Sequence, residues 1–142
     1  MRLWHKDLIG VLPRQQLISQ WRECCCIAKN ILINGTPNHI LVNKIIDYPL
    51  NDFYSYGVLV YVSMRDRGYK CDFKKFSQYF KNENKKSINE EPFKNWHNNI
   101  YLRECLYNLE EKAMCNGIPY NEWMNVVNKY KIIYDLWEHE NE

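Results

Sequence analysis

Apolar residues recur at helical spacing along most of the chain, which predicts an all-α fold. The clearest stripe is in the first third of the sequence and consists of Leu17, Trp21, Cys24, Ala28 and Ile31. Pro13 suits the first turn of this helix, because the N–H that proline lacks would have no helical partner there. Asn34-Gly35 is a typical helix end. We therefore predict a first helix from Pro13 to about Leu32.

The rest of the chain predicts a small helical domain with long connections. The remaining predicted elements are a second helix from Leu50 or Asn51 to Gly68, a short helix capped by Asp72, a third main helix over residues 98–116, and a C-terminal helix from Tyr120 to about Trp137. Residues 1–12 are expected to be extended beside the first helix, and residues 36–49 and 82–97 to form loops. The prediction is one compact domain over residues 1–142.

The polar side of the first helix has an unusual composition. Its two neighbouring ridges consist of Gln15, Ser19, Arg22 and Cys26, and of Gln16, Gln20 and Glu23. An exposed helix face normally mixes lysines with glutamates. This face instead places amides and a hydroxyl around one Arg-Glu pair. This composition indicates a surface that forms hydrogen bonds with a ligand.

Composition and charge limit the classes of function. The 142 residues carry 19 Lys and Arg against 17 Asp and Glu, so a formal charge of +2 is weak evidence for a nucleic-acid partner and any basic face must be local. Eleven tyrosines and five tryptophans suit an aromatic core or a surface on which bases stack. No apolar run approaches the length of a membrane span. We expect a soluble, cytoplasmic and nucleoid-associated monomer with no membrane partner.

The cysteines fit an intracellular protein better than a disulfide scaffold. Three of the six are consecutive, Cys24, Cys25 and Cys26, on a helix where neighbours point about 100° apart and cannot pair. The other three form no Cys-x-x-Cys and have no histidine at metal-ligand spacing. We expect six reduced thiols that act mainly as small hydrophobic side chains.

The first 26 residues carry a specific resemblance. The segments Met1-Arg2-Leu3-Trp4, Arg14-Gln15-Gln16-Leu17 and Gln20-Trp21-Arg22-Glu23 resemble the pyrimidine-dimer DNA glycosylase family, whose best-known member is phage endonuclease V. The chain looks closer to the cellular branch of that family. Weaker similarity continues to about residue 116. The resemblance implies a DNA repair enzyme acting on double-stranded DNA that carries a damaged or abasic site.

The resemblance also implies a chemistry and two catalytic residues. In this family an N-terminal α-amine attacks the anomeric carbon, displaces the base, forms an imine and then cleaves the strand by β-elimination, with neither metal nor cofactor. An α-amine suits this attack because its pKa is roughly 7.7–8.0, against about 10.4 for lysine. Met1 is expected to supply the amine, since an initiator Met is normally kept before a long side chain such as Arg2. Glu23 matches the family's essential glutamate.

A second group of residues is expected to bind DNA. These residues are Arg2, Arg14, Gln15, Gln16 and Arg22. Arginine binds phosphates through its planar fork. Two positions depart from the family, because Gln16 replaces a histidine and Cys26 replaces an arginine. Arg14 can also be a solvated residue at the helix start, and Arg22 and Glu23 can be ordinary surface charges.

Several alternatives stay open at the level of sequence. The chain can be a non-catalytic module that keeps the helical scaffold and binds DNA or a protein. Alternatively, it can use the same imine chemistry on a lesion other than a pyrimidine dimer. Trp4 is expected in the core, His5 at a polar surface or in the site, and Lys6 is a conceivable rival imine-former. Six lysines between residues 70 and 86 either face phosphates or form a solvated surface. Tyr130 and Tyr134 either stack on bases or pack the last helix.

Overall fold

The computed structural model describes residues 1–81 and 86–131, and these residues are helical with no strand. The α-helices are α1 (Arg14–Asn34), α2 (Leu50–Asp66), α3 (Lys74–Ser77), α4 (Asn99–Met114) and α5 (Tyr120–Lys129). The predicted all-α class is confirmed. The predicted end of the last helix near Trp137, Tyr134 and part of the lysine-rich segment lie outside the described residues.

The core forms where α1 lies against α2. Leu17 and Cys24 of the predicted apolar stripe are fully buried, and they belong to the same hydrophobic cluster as Phe53 and Val60 of α2. Trp21 packs its ring on Phe76 of α3, with the ring centroids 5.8 Å apart. The sequence pattern therefore identified the buried face of α1 correctly. The cluster includes residues from each of the five α-helices, and most of the polar side of α1 faces away from it.

The end of α1 follows the chemistry expected from the sequence, and the start of α3 differs from it by one residue. Gly35 closes α1 with a left-handed backbone (φ 77°), and its N–H donates to the carbonyl of Ile31. A left-handed residue at this position costs glycine little, since it has no Cβ. The N-cap residue of α3 is Phe73, whereas Asp72, the predicted cap, lies one residue earlier and accepts from the backbone N–H of Lys74 at 3.0 Å.

The N-terminal segment differs from the prediction of an extended chain up to residue 12. Lys6–Val11 forms a 3₁₀ helix, and the His5 ring caps it by accepting from the backbone N–H of Asp7 at 3.1 Å. Leu8 and Ile9 are buried by this turn. Side chains three residues apart lie on the same side of a 3₁₀ helix, and Ile9 and Leu12 are both buried. Residues 1–5 precede this turn and form no helix.

The loop after residue 86 is attached to α2 through a buried carboxylate. Asp52 accepts from the amide of Asn89 at 2.6 Å and from the backbone N–H of Phe93 at 3.1 Å. The hydroxyl of Ser55 accepts from the Asn89 backbone N–H at 2.7 Å. These bonds satisfy polar groups that would be costly to bury alone. They place Phe93, Trp96 and the neighbouring residues against the domain.

A second 3₁₀ helix, Asn43–Asp47, lies in the connection between α1 and α2, where the sequence predicts a loop with a short helical turn. Within the part of the chain that the structure describes, no helix combines the length and apolar character that a membrane span requires.

Candidate active site

The N-terminal segment is attached to α1 by one buried glutamine. The Gln20 side chain is fully buried, although the sequence pattern places it on the polar side of α1. Its carbonyl oxygen accepts from the backbone N–H of Trp4 at 2.8 Å, and its amide donates to the carbonyl of Arg2 at 3.0 Å. The Gln20 side chain thus bonds one backbone N–H and one backbone carbonyl of the segment, as a neighbouring strand would. These two bonds hold the segment against the surface of α1.

Two tyrosines complete this attachment. The Tyr56 hydroxyl lies 2.6 Å from the carbonyl oxygen of Trp4 and 2.9 Å from the Gln20 carbonyl oxygen, and the Tyr101 hydroxyl donates to the carbonyl of Leu3. Burial raises the pKa of both phenols. The two hydroxyls therefore stay protonated and can donate. Each backbone group of residues 2–4 named here has a fixed partner, which fixes the direction of Met1.

The segment brings the Met1 end beside the carboxyl group of Glu23. Burial raises the pKa of Glu23, and the positive charge of the Met1 amine, the Arg2 backbone N–H and His39 each lower it in part. The Gln20 amide also donates to the Glu23 carboxylate at 3.3 Å. The Met1 amine therefore lies close enough to Glu23 for its charge to act on a half-buried carboxyl group whose pKa is raised by burial.

An open cleft of about 360 Å³ adjoins this pair. Its lining contains Met1, Arg2, Trp4, Gln15, Gln16, Ser19 and Glu23 from the sequence-predicted region. The remaining lining residues are Leu41, Asn108 and Lys112, which sequence analysis missed. Met1 is 43% exposed, so this residue is open to the solvent. The volume suits a sugar with part of its base or phosphate.

Two predicted DNA-binding residues lie elsewhere. Arg14 lines a different groove, where its guanidinium lies over the Tyr69 ring at 5.4 Å and its backbone N–H donates to Glu122 at 2.6 Å. Arg22 is exposed on α1 and is not among the cleft-lining residues. The structure thus brings together Arg2, Gln15 and Gln16 from the predicted set. DNA binding by all five residues stays a prediction.

His5 is neither on a polar surface nor in the cleft. It is 2% exposed and stacks on His97 with ring centroids 5.1 Å apart. His97 accepts from the backbone N–H of Lys6 at 2.9 Å, and burial lowers the pKa of His97 to about 2. The Lys6 ammonium donates to the carbonyl of Pro92 at 3.2 Å. His5 and Lys6 therefore anchor the segment to the loop before α4.

Two further grooves adjoin the cleft. One, of about 390 Å³, shares Arg2 and Leu41 with the cleft and is also lined by Trp96, Ile100 and Tyr101. The other shares Gln15 and is lined by residues of the α4–α5 connection and by Trp123 of α5. The cleft therefore lies at the middle of a longer concave surface.

The lysine-rich and aromatic segments keep more than one interpretation. Lys70, Lys74, Lys75 and Lys81 are exposed while Phe76 and Phe80 are buried, which is compatible with a phosphate-facing surface and with a solvated one. Tyr130 is half-buried, and its hydroxyl donates to the carbonyl of Asp7 at 2.9 Å. Packing therefore explains the position of Tyr130.

The cleft brings an amine and a carboxyl group together. An unprotonated amine can attack an electrophilic carbon, and a nearby carboxyl group can stabilise the resulting cation. Among residues 1–81 and 86–131, no group of three His, Cys, Asp or Glu side chains is arranged to hold a metal ion.

Comparison with known proteins supports one family. A family model described as pyrimidine dimer DNA glycosylase matches residues 1–77, which is slightly more than half of the chain and contains α1, α2 and α3. Searches of curated proteins and of solved structures found no significant match. The matched region includes the N-terminal segment, Gln20 and Glu23, whereas the cleft residues on α4 lie beyond it.

Proposed function

The chain belongs to the pyrimidine dimer DNA glycosylase family, and we propose that it excises pyrimidine dimers through the α-amine of Met1 and then nicks the strand as an abasic-site lyase. The observation that carries the proposal is the position of the Met1 end beside Glu23 in an open cleft. Amine nucleophiles that form imines with sugars need an accessible free base and a partner for the developing cation.

The proposed first step transfers the sugar from the base to the protein. The Met1 amine, as free base, attacks C1′ of the damaged nucleotide; the N–C1′ bond forms while the C1′–base bond breaks, and the base leaves with the bonding electrons and takes up a proton. Opening of the sugar ring gives a protonated imine. The Glu23 carboxylate stabilises this cation, and the water-poor position that raises its pKa strengthens the attraction.

The proposed second step breaks the strand. Loss of a C2′ proton from the imine drives out the 3′ phosphate, and water then hydrolyses the imine to release the amine. Glu23 can carry the protons in these steps, because its raised pKa lies closer to neutrality than that of an ordinary glutamate. Arg2 and Lys112, which line the cleft, are the cations available to the phosphates.

The direct test is reductive trapping. Protein with Met1 as its first residue is incubated with duplexes that contain a thymine dimer or an abasic site, in the presence of borohydride. We expect a covalent adduct, and peptide mass analysis should place the DNA on the Met1 nitrogen. One glycine added before Met1 moves the amine by about 3.8 Å and should abolish the adduct while the thermal unfolding midpoint is retained. An adduct on Lys6 would overturn the assignment of the nucleophile.

Glu23→Gln tests the carboxyl group separately. Glutamine keeps the shape and an acceptor for the Gln20 amide, so DNA affinity should change little, whereas single-turnover nicking should fall by roughly 10² or more. Glu111→Gln, on the exposed side of α4, is the matched control and should nick normally. Equal nicking by both variants would remove Glu23 from the mechanism. Specific DNA binding by the wild type without any adduct would support the non-catalytic alternative.

A further inference from the structure

Two large aliphatic side chains project into solvent at the edge of the cleft. Ile40 is 87% exposed and Leu41 is 52% exposed, although the next residue, Val42, is fully buried. Isolated exposed aliphatics are common on protein surfaces. Two adjacent ones at the tip of a short loop beside a candidate active site form a local apolar point, which we call the Ile40–Leu41 tip.

The backbone beneath this tip is ordered by hydrogen bonds. The side-chain carbonyl of Asn43 accepts from the His39 backbone N–H at 2.9 Å and lies 3.3 Å from the Thr36 hydroxyl. The His39 carbonyl accepts from the N–H groups of Val42 at 3.0 Å and Asn43 at 2.9 Å. Asn38 adopts a left-handed conformation (φ 62°) to make this turn. The apolar pair is therefore presented by a supported loop and not by a loose one.

The tip lies between the cleft and the adjoining groove. Leu41 lines both cavities, and Ile40 lines the groove of about 390 Å³ together with Trp96 and Ile100. The charged residues that line these two cavities are Arg2, Lys44, Lys112, Glu23 and Glu104. Three cationic side chains and the Met1 amine, against two carboxylates of which Glu23 has a raised pKa, suit an anionic strand on either side of an apolar point.

We propose that the Ile40–Leu41 tip is a wedge that inserts into the base stack of duplex DNA and opens it beside the cleft. The proposal rests on the proposed function, because an amine in the cleft cannot reach C1′ of a stacked nucleotide until the duplex is kinked. Aliphatic side chains are used in this way by proteins that kink DNA, since they replace the stacking contacts that the bases lose. The supported loop keeps the wedge from folding back onto the protein.

The test compares the same abasic site in duplex and in single-stranded DNA. Only the duplex requires unstacking, so Ile40→Ala should lower the ratio of duplex to single-strand nicking rates by roughly tenfold. Ile33→Ala is the matched control, because Ile33 is 65% exposed on α1 and does not line either cavity. Ile40→Leu, which keeps the aliphatic volume, should restore the ratio. An unchanged ratio in Ile40→Ala would overturn the wedge.

A second measurement follows unstacking without chemistry. 2-Aminopurine placed next to the lesion should brighten when wild-type protein or Ile33→Ala binds, and should stay quenched at saturating Ile40→Ala. Brightening with no trapped adduct on either DNA would defeat the proposed function and leave the wedge standing. A normal adduct with no brightening would support the proposed function and overturn the wedge. Binding of Ile40→Ala that weakens equally on duplex and single-stranded DNA would show a general contact surface and overturn the wedge.

Discussion

Gln20 is the side chain on which the position of the Met1 amine most depends. Sequence spacing places it on the polar side of α1, yet it is fully buried and hydrogen-bonded to Arg2, Trp4 and Tyr56. A glutamine can be buried at this point because its amide meets backbone groups that otherwise would be left without partners. The same residue also touches Glu23, so it links the N-terminal segment to the carboxyl group.

Gln20→Leu should therefore affect both stability and chemistry. It leaves the Trp4 N–H without its acceptor and the Arg2 carbonyl without its donor, and buried groups of this kind cost about 1–3 kcal/mol each. We expect the free energy of unfolding to fall by about 2–4 kcal/mol and trapped adduct to fall sharply under conditions where the variant is still folded. Gln78→Leu, an exposed amide outside the site, is the control for urea denaturation and for trapping. A folded variant with wild-type trapping would contradict this role of Gln20.

The sequence predicts part of the site at this scale and misses the rest for an identifiable reason. Gln15, Gln16 and Glu23 could be placed together because helical spacing fixes their relative directions on α1. Asn108 and Lys112 also share one face, but of α4, and their arrival at the cleft depends on how α4 packs on the domain. Arg14 lies at the start of α1 with its guanidinium over the Tyr69 ring, a contact with a residue far along the chain that helical spacing alone does not reveal.

At the scale of elements, the packing of α3 on α2 depends on a missing side chain. A Cβ added at Gly57 would lie 2.1 Å from the Phe76 ring, so the glycine allows the ring to rest directly on the α2 backbone. Glycine normally weakens a helix interior. Here the close approach lets Phe76 contact Phe53 and Trp21, with centroid separations of 5.5 and 5.8 Å.

Gly57→Ala should consequently destabilise the protein, against the usual effect of this change in a helix. Overpacking costs about 1–3 kcal/mol, measured as the free energy of unfolding in urea. Gly10→Ala is the matched control, since a Cβ at Gly10 meets nothing within 4 Å. Combining Gly57→Ala with Phe76→Leu should cost less than the sum of the two separate changes. Simple additivity would show that the ring does not limit the space at Gly57.

Helix positions were predictable, and the connections were predictable only in part. Apolar periodicity and the residues Pro13, Gly35 and Gly68 locate the ends of α1 and α2 to within one or two residues of Arg14–Asn34 and Leu50–Asp66. The 3₁₀ helix Lys6–Val11 was missed because its cap, His5, and its packing surface are recognised only once the segment meets α2 and α5. Short 3₁₀ turns have little periodic signal of their own.

For the molecule as a whole, a buried pair of imidazoles sets the response to acid. Burial is the main cause that lowers the pKa of His5 and of His97, and the charge of Lys6 adds to it while Asp7 opposes it at His5. His97 accepts a hydrogen bond through Nδ1 from Lys6, and its Nε2 is buried with no hydrogen-bond partner among the described residues. A proton added to Nδ1 would break the bond and bury a charge.

Stability should therefore decrease as the pH falls below 6.5. The unfolded chain takes up a proton on His97 there, whereas the folded protein resists protonation down to a pKa of about 2. The stabilising contribution is complete above pH 6.5 and is reduced by about 2 kcal/mol at pH 5. Phenylalanine cannot take up a proton, so the free energy of unfolding of His97→Phe, measured in urea, should change less between pH 7 and pH 5 than that of the wild type. At pH 7 the variant should be less stable than the wild type. Parallel pH profiles for the two proteins would contradict this assignment.

The order in which a ribosome makes this chain has a consequence for the contacts of its first residues. The Leu3 carbonyl accepts a hydrogen bond from Tyr101, and the Lys6 N–H donates one to His97. The Asp7 carbonyl accepts hydrogen bonds from Lys129 and Tyr130. These residues thus acquire the four partners only after at least 91 further residues have been synthesised. A chain interrupted before His97 retains the Gln20 and Tyr56 contacts of this segment but lacks these four hydrogen bonds, so the segment gains its last contacts late in biosynthesis, when the later residues are available.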